Sequence, residues 1–578
     1  MKNNLLMAVT LFFCGANLNA TTYEIDELVS ELLYLTDVPG AAVGILVDNE
    51  IVVSKGYGTR NIEEGLPVTN KTLFQVGSIT KGFTSFLIGQ LVEEGLMDWD
   101  DPITNHIPHF KLKDPYTTYN ITIRDYLTHV SGYPCHDAVW YNERFSRESL
   151  MKRLSFLEPI YALREKFLYQ QLGYAIVGHA AEKVTQKPYE TLIAERIFHP
   201  LGMRHSTFSL ADMQKSSNFS IGYREPPIPT PTIDPHTIAP AGGIHSNIED
   251  LLKWVKVLLQ KGDGLIEPHT FNEITTPQVV SDLICNGKYG SENELLMESY
   301  GLGWILISYR GHFAILHGGN IDGFSSVLLI LPKEQIGIVV LCNNHFSPFP
   351  PILTALLMDK LLGLPPIDWI GKYKAITENQ VKEVPQKPIV TKLSHPISDY
   401  QGTYTNPGYG TLGIKLENNK LIATLNHMSM PLNHLYYNVF EVSNEAFLPA
   451  IRKFKFVFQE NNYGDISFFS IALEPQAKGV IFMKQKDEAL VQKEYLDKFA
   501  GNYSYLGFTF VIDNSEKFLT VKAFGQPPYE LLPERNNLFK VKGLEGYTVQ
   551  FLTDESGTIT TIQLIQPNNS IITAHRKL

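Results

Sequence analysis

Cysteine is scarce in this sequence, with four in 578 residues, and only Cys135, Cys285 and Cys342 lie beyond the first twenty. An odd, widely spaced set gives no disulfide framework. The absence of Cys-x-x-Cys and His-Glu-x-x-His spacings leaves no zinc motif, so neither metal nor other cofactor is expected. Cys135 stands beside His136, yet no third group is apparent to orient such a pair, and a buried or loop thiol is the reading. Basic charge is also short: Lys and Arg total 49 against 60 Asp and Glu, for a net charge of -11. With no Lys/Arg cluster, nucleic acid is not expected as a partner. Long apolar runs are missing as well. The run Leu5 to Ala16 is too short to span a bilayer, and no later stretch is longer, so no stable membrane anchor is expected.

The beginning of the chain has another use for that run. Met1-Lys2-Asn3-Asn4 supplies a cationic start, the apolar segment follows, and Leu18-Asn19-Ala20 places a small residue before a cut. This predicts a secretory signal over residues 1–20 and an exported, periplasmic or secreted protein. Phe13 before Cys14 is too large for a lipid-attachment signal.

The length predicts two or three domains, and 44% hydrophobic with 19% charged residues suits folded, soluble material. Ala42 to Val47 and Ile51 to Val53 flank Asp48-Asn49 as a hairpin; Phe324 to Leu331 and Ile336 to Leu341 form another across Pro332 to Gln335. Between them the apolar spacing is helical, as in Phe83-Phe86-Leu87-Leu91 and Leu251-Leu252-Trp254-Val255-Leu258. Pro350-Pro351 to Leu362 reads as a closing helix. Strands at both ends and helices between them predict one α/β unit over residues 21–365.

A proline-bearing linker (Pro385, Pro388, Pro396) is read over 366–396, and strand-and-turn sequence then runs to the end. That tail repeats itself. Asp399-Tyr400-Gln401-Gly402-Thr403-Tyr404 is echoed by Lys498-Phe499-Ala500-Gly501-Asn502-Tyr503, and Val457-Phe458 by Gln550-Phe551. A unit near a hundred residues is too long for a solenoid repeat. Two small β-domains are therefore expected, over 397–486 and 487–578. They hold no catalytic-looking cluster and are assigned to packing, substrate access or assembly, including a homo-oligomer.

The chemistry is expected in the first unit. In Gly77-Ser78-Ile79-Thr80-Lys81, a three-residue spacing puts Ser78 and Lys81 on one helical face. A serine hydroxyl needs a base before it attacks, and a lysine with a depressed pKa can serve. The pair opens an amphipathic helix, where N–H groups favour negative charge. Alone the motif is common. In company it is not: Phe74 to Lys81, Thr122 to Gly132, Leu201-Gly202-Met203 and Ala241-Gly242-Gly243 together resemble the penicillin-recognising serine hydrolases. The likeness is to the class C β-lactamase, D-aminopeptidase and esterase branch, over roughly residues 25 to 365.

That resemblance implies an α/β (α+β) β-lactamase-like domain, an antiparallel sheet flanked by helices, followed by two lipocalin-like β-barrels. It implies an acyl-enzyme on Ser78, formed from an amide or ester of a small molecule or peptide. Tyr169 matches the tyrosine of the family's Tyr-x-Asn motif, while Gln171 replaces the asparagine and puts substrate amide recognition in question. Lys81 and Tyr169 are expected to act as one coupled unit, the Lys81 cation favouring the Tyr169 phenolate. His317-Gly318-Gly319 matches the third motif, with Gly319 and the N–H groups of Asn320 and Ser78 forming the substrate-binding oxyanion site. His317 in place of a lysine weakens penicillin hydrolysis, since histidine is mostly neutral at pH 7. The alternative is a non-catalytic cell-wall peptide-binding or assembly protein on the same fold. Loops Pro134 to Phe145 and Tyr223 to Thr237 are expected to rim the site.

Overall fold

The computed structural model describes residues 10–225, 227–283, 294–380, 391–443, 453–462, 464–474, 477–486, 488–514, 518–535 and 537–577. Cys285, Pro385 and Pro388 lie outside them. The chain forms two compact units. The first comprises residues 1–388 together with the short segments 407–409 and 472–479; the second holds 389–406, 410–471 and 480–578.

The first unit is built on a nine-stranded antiparallel sheet. In chain order its strands are β1 (Gly40–Val47), β2 (Glu50–Asn61), β3 (Leu66–Pro67), β4 (Val279–Val280), β5 (Leu295–Tyr300), β6 (Ile305–Tyr309), β7 (His312–Ile321), β8 (Phe324–Leu331) and β9 (Ile336–Cys342). In space they run β3-β2-β1-β9-β8-β7-β6-β5-β4. The two hairpins read from the sequence thus meet at the centre, where Val43 pairs with Val340. The first turns through Asp48 and Asn49, both left-handed (φ 48° and 69°), as a tight hairpin requires. β8 and β9 are buried on both faces, which is why they read as unbroken apolar runs.

Helices cover both faces. On one, α1 (Thr10–Leu35) sets Ile25, Val29 and Leu32 into the core beside the helix Phe349–Leu361. Across the sheet lie α2 (Thr80–Glu93) and α3 (Ile248–Leu259). α2 is buried from Thr80 to Leu91, and its Phe83 stacks on Trp254 of α3 at 4.3 Å between ring centroids. A helix buried all round is a central one. The stretch read as linker is not free of structure: it contains the helix Trp369–Gln380, whose Trp369 is buried and donates to Asp359 at 2.9 Å. Among the described residues no helix is long and apolar enough to cross a membrane.

The second unit contains two closed eight-stranded barrels, beginning at Gly402–Asn406 and Gly501–Tyr505. The sequence repeat is their shared first corner. Tyr404 donates to the carbonyl of Tyr400 (2.9 Å), and Tyr503 to that of Phe499 (3.0 Å). Tyr400 then packs on Phe458, and Phe499 on Phe551.

In the first unit, the segment Thr122 to Gly132 is locked by a capping box, Thr122 and Asp125 each bonding the other's backbone N–H. Asp125 also accepts two bonds from Arg164 at 2.8 Å. Replacing Asp125 with Ala removes the cap and the buried acceptor together, and is expected to cost about 2 kcal/mol, read as a lower midpoint in denaturant unfolding.

Candidate active site

Ser78 sits in a single 3-10 turn, Gly77–Ile79, that runs directly into α2. The turn is wedged between two neighbours. Val76 donates to the carbonyl of Ile244 at 3.0 Å and accepts from Ser326 Oγ of β8 at 2.9 Å. Gly77 has φ +54°, a conformation that suits glycine, and a Cβ there would stand 3.0 Å from the backbone nitrogen of Asn320. Gly319 is tighter still: a Cβ would come within 2.0 Å of the Val76 carbonyl oxygen. The Gly-Gly of β7 therefore lets that strand lie directly against the nucleophile turn and brings the Asn320 backbone alongside Gly77-Ser78. Asn320 Oδ1 accepts from Ser325 Oγ at 2.8 Å, which leaves the side chain engaged on β8.

Lys81 is fully buried, and its Nζ has three neighbours: Ser78 Oγ at 3.1 Å, Gln171 Oε1 at 2.6 Å and the carbonyl of Ala241 at 2.9 Å. Among the described residues no carboxylate is in ion-pair contact with it. Burial pushes the ammonium down to about 7, against a smaller upward pull from Asp137 and Cys135. The two carbonyl oxygens can only accept. A neutral amine must give both of its protons to them, so its lone pair is left facing Ser78 Oγ.

Tyr169 lies over this pair, its ring 4.8 Å from Lys81 Nζ and its hydroxyl within hydrogen-bond reach of Ser78 and Gln171. Here the phenolate expectation fails. Losing a proton would create a buried anion on Tyr169 but would remove a buried cation from Lys81, so burial drives the phenol above its usual value while it lowers the amine. At neutral pH the tyrosine keeps its proton.

Gln171, expected to take part in substrate recognition, sits between Lys81 and Tyr169. Its amide bridges the pair, Oε1 accepting from Lys81 and the other end meeting the Tyr169 hydroxyl. His317 is likewise withdrawn from substrate. Its ring is buried, Nδ1 lies 2.6 Å from the Gly318 carbonyl and Nε2 lies 3.0 Å from the Tyr300 hydroxyl. The carbonyl requires the proton on Nδ1, so Nε2 accepts from Tyr300 and no donor remains for a substrate carboxylate. Burial first, then the nearby Lys81, depresses its pKa to about 3.

The two rim loops are joined to each other: Arg144 pairs with Asp234 at 2.8 Å and Thr237 donates to the Phe145 carbonyl at 2.7 Å. Sequence reasoning did not single out Asp137 within the first loop, nor the carbonyl of Ala241. The landmark Ala241-Gly242-Gly243 flagged the latter position without its role. Cys135 is no nucleophile: its Sγ donates to the Tyr169 carbonyl at 3.1 Å, and burial pushes the thiol up to about 12.

A family model described as beta-lactamase matches residues 25–362, the whole span that holds these residues. The chain belongs to the beta-lactamase family. A second family model, a domain of unknown function (DUF3471), matches residues 386–483, over the first barrel. The chain is similar to a protein named unguisins hydrolase ungD from Aspergillus violaceofuscus, 29% identical over 448 residues, covering 69% of this chain and 78% of that one. It is also similar to protein flp of Staphylococcus aureus (strain MW2), 28% identical over 349 residues, 58% of this chain and 66% of that protein. Among solved structures, an octameric penicillin-binding protein homologue from Pyrococcus abyssi aligns with a TM-score of 0.54 at 23% identity, covering 80% of this chain and 99% of the other. That likeness is one of fold.

The close approach at Gly319 yields a direct test. Gly319→Ala forces the Val76 carbonyl or β7 to move, and a displacement of several tenths of an ångström beside Ser78 is expected to slow its modification by a fluorophosphonate about tenfold or more, measured as the rate of adduct formation by intact-mass spectrometry.

Proposed function

We propose that this protein is an exported serine hydrolase that opens an amide or ester through an acyl-enzyme on Ser78. The observation that carries the reading is the set of hydrogen bonds that ties four side chains together: Lys81 Nζ bonds Ser78 Oγ and Gln171 Oε1, and the Tyr169 hydroxyl bonds Ser78 and Gln171. When Lys81 is neutral its two protons go to Gln171 Oε1 and the Ala241 carbonyl, and its lone pair is left to accept from Ser78. Ser78 attacks the substrate carbonyl and its proton passes to Lys81. The oxyanion forms beside the N–H groups of Ser78 and Asn320, and the leaving group departs with a proton from the Lys81-Tyr169 pair. A water repeats these steps to release the acid. The relative named as a hydrolase supports turnover over simple binding.

A substrate whose recognition does not depend on a carboxylate suits the occupied His317 ring, so a small-molecule or peptide amide or ester is favoured over penicillins. Export with cleavage after Ala20, and assembly of copies through the barrels, belong to the same proposal; the solved homologue is described as octameric.

A fluorophosphonate adduct on Ser78, located by peptide mass spectrometry, is the expected result, and Ser78→Ala should abolish it. Lys81→Ala should slow acylation about a hundred- to ten-thousand-fold. Because only the neutral amine accepts the proton, the rate should be flat above about pH 7 and fall tenfold per unit below it. Ester turnover by Ser78→Ala at the wild-type rate would sink the mechanism.

A further inference from the structure

Lys81 carries no contacting carboxylate, yet one acid does act on it. Asp137, in the turn Asp137–Val139 of the first rim loop, is the leading charge that favours the Lys81 ammonium, and it also lies within electrostatic reach of Tyr169. Trp140 Nε1 donates to Asp137 Oδ1 at 2.9 Å. The residue before it, His136, is buried and left-handed at φ +49°.

Two residues from much later in the chain hold it, both within the first unit. The Tyr409 hydroxyl lies 2.6 Å from His136 Nδ1, while Nε2 lies 3.1 Å from the Glu158 carbonyl. That carbonyl fixes the proton on Nε2, so Tyr409 donates to Nδ1. The Glu474 carboxyl accepts from the His136 backbone N–H and is itself buried. Ring and backbone of one residue are thus gripped at once.

We propose that Asp137 sets how readily Lys81 holds its proton, and that Tyr409 and Glu474 are positioning residues that keep Asp137 in place by gripping His136. This rests on Lys81 being the base of the proposed hydrolase. The titratable groups facing Asp137 are Lys81, Cys135, Tyr141, Tyr169, Tyr409 and Glu474. Lys81 is the one cation of that group. Burial raises Asp137 to about 6 and Glu474 to about 7, the second helped by the first, so at neutral pH Asp137 carries most of the negative charge near the lysine.

The test is the pH dependence of fluorophosphonate labelling of Ser78 in the full-length protein. Asp137→Asn deletes the charge that favours the ammonium, so the acid limb should move down by about one pH unit. Glu474→Ala frees the His136 N–H and should move the limb the same way, whereas Glu474→Gln keeps an acceptor and should leave it at or above the wild-type position. In an Asp137→Asn background, Glu474→Ala should add no further shift. An unshifted limb in Asp137→Asn, or identical limbs for the Ala and Gln variants at 474, overturns the inference while labelling of the wild type leaves the hydrolase standing. A wild type that is not labelled at all overturns both.

Discussion

The structure of the first unit depends on an amine buried without a carboxylate in contact. Removing an ammonium from water costs more than three neutral acceptors return, so the group sheds its proton instead. Lys81 is in that position because α2 is central: the helix is buried from Thr80 to Leu91, and the groups that meet the amine are a hydroxyl and two carbonyl oxygens. A carboxylate bonded to Nζ would hold the proton and silence the base. Asp137, near enough to be felt but not to bond, tunes the amine without capturing it.

The second constraint is the narrow gap between β7 and the nucleophile turn. Gly319 against Val76 and Gly77 against Asn320 leave no room for side chains, and Ser326 fills the remaining polar vacancy by donating to the Val76 carbonyl. Two backbone segments distant in sequence, 76–78 and 319–320, are thereby fixed side by side. An oxyanion site needs that kind of rigidity, since its donors must be in place before charge develops. The family's glycines are thus explained by sterics as much as by chemistry.

What the sequence made legible was local or periodic. Ser78 and Lys81 three apart, hairpins around Asp48-Asn49 and Pro332 to Gln335, and the repeated Gly-x-Tyr corners each state their geometry within a few residues. Partners chosen across the fold stayed hidden. Gln171, read as a substrate group, accepts from Lys81, and His317, read as a substrate-binding residue, has its Nε2 against the Tyr300 hydroxyl. The helix Trp369–Gln380 was missed because the surrounding prolines outweighed one buried tryptophan, whose partner Asp359 lies ten residues earlier.

The two barrels show why such partners escape pattern reading. They share strand number, corner tyrosines and closure, so nothing in barrel physics distinguishes their first hairpin tips. Yet Tyr409, in the tip between Asn406 and Gly410, is 3% exposed, whereas Leu506, in the tip between Tyr505 and Phe508, is 80% exposed. The second barrel closes without a buried aromatic there, so closure does not require one. The demand comes from His136, whose buried ring nitrogen takes a donor from Tyr409. A duplicated module supplies the scaffold twice; at this pair of tips, the buried tyrosine occurs in the copy whose tip residues, 407–409, belong to the first unit.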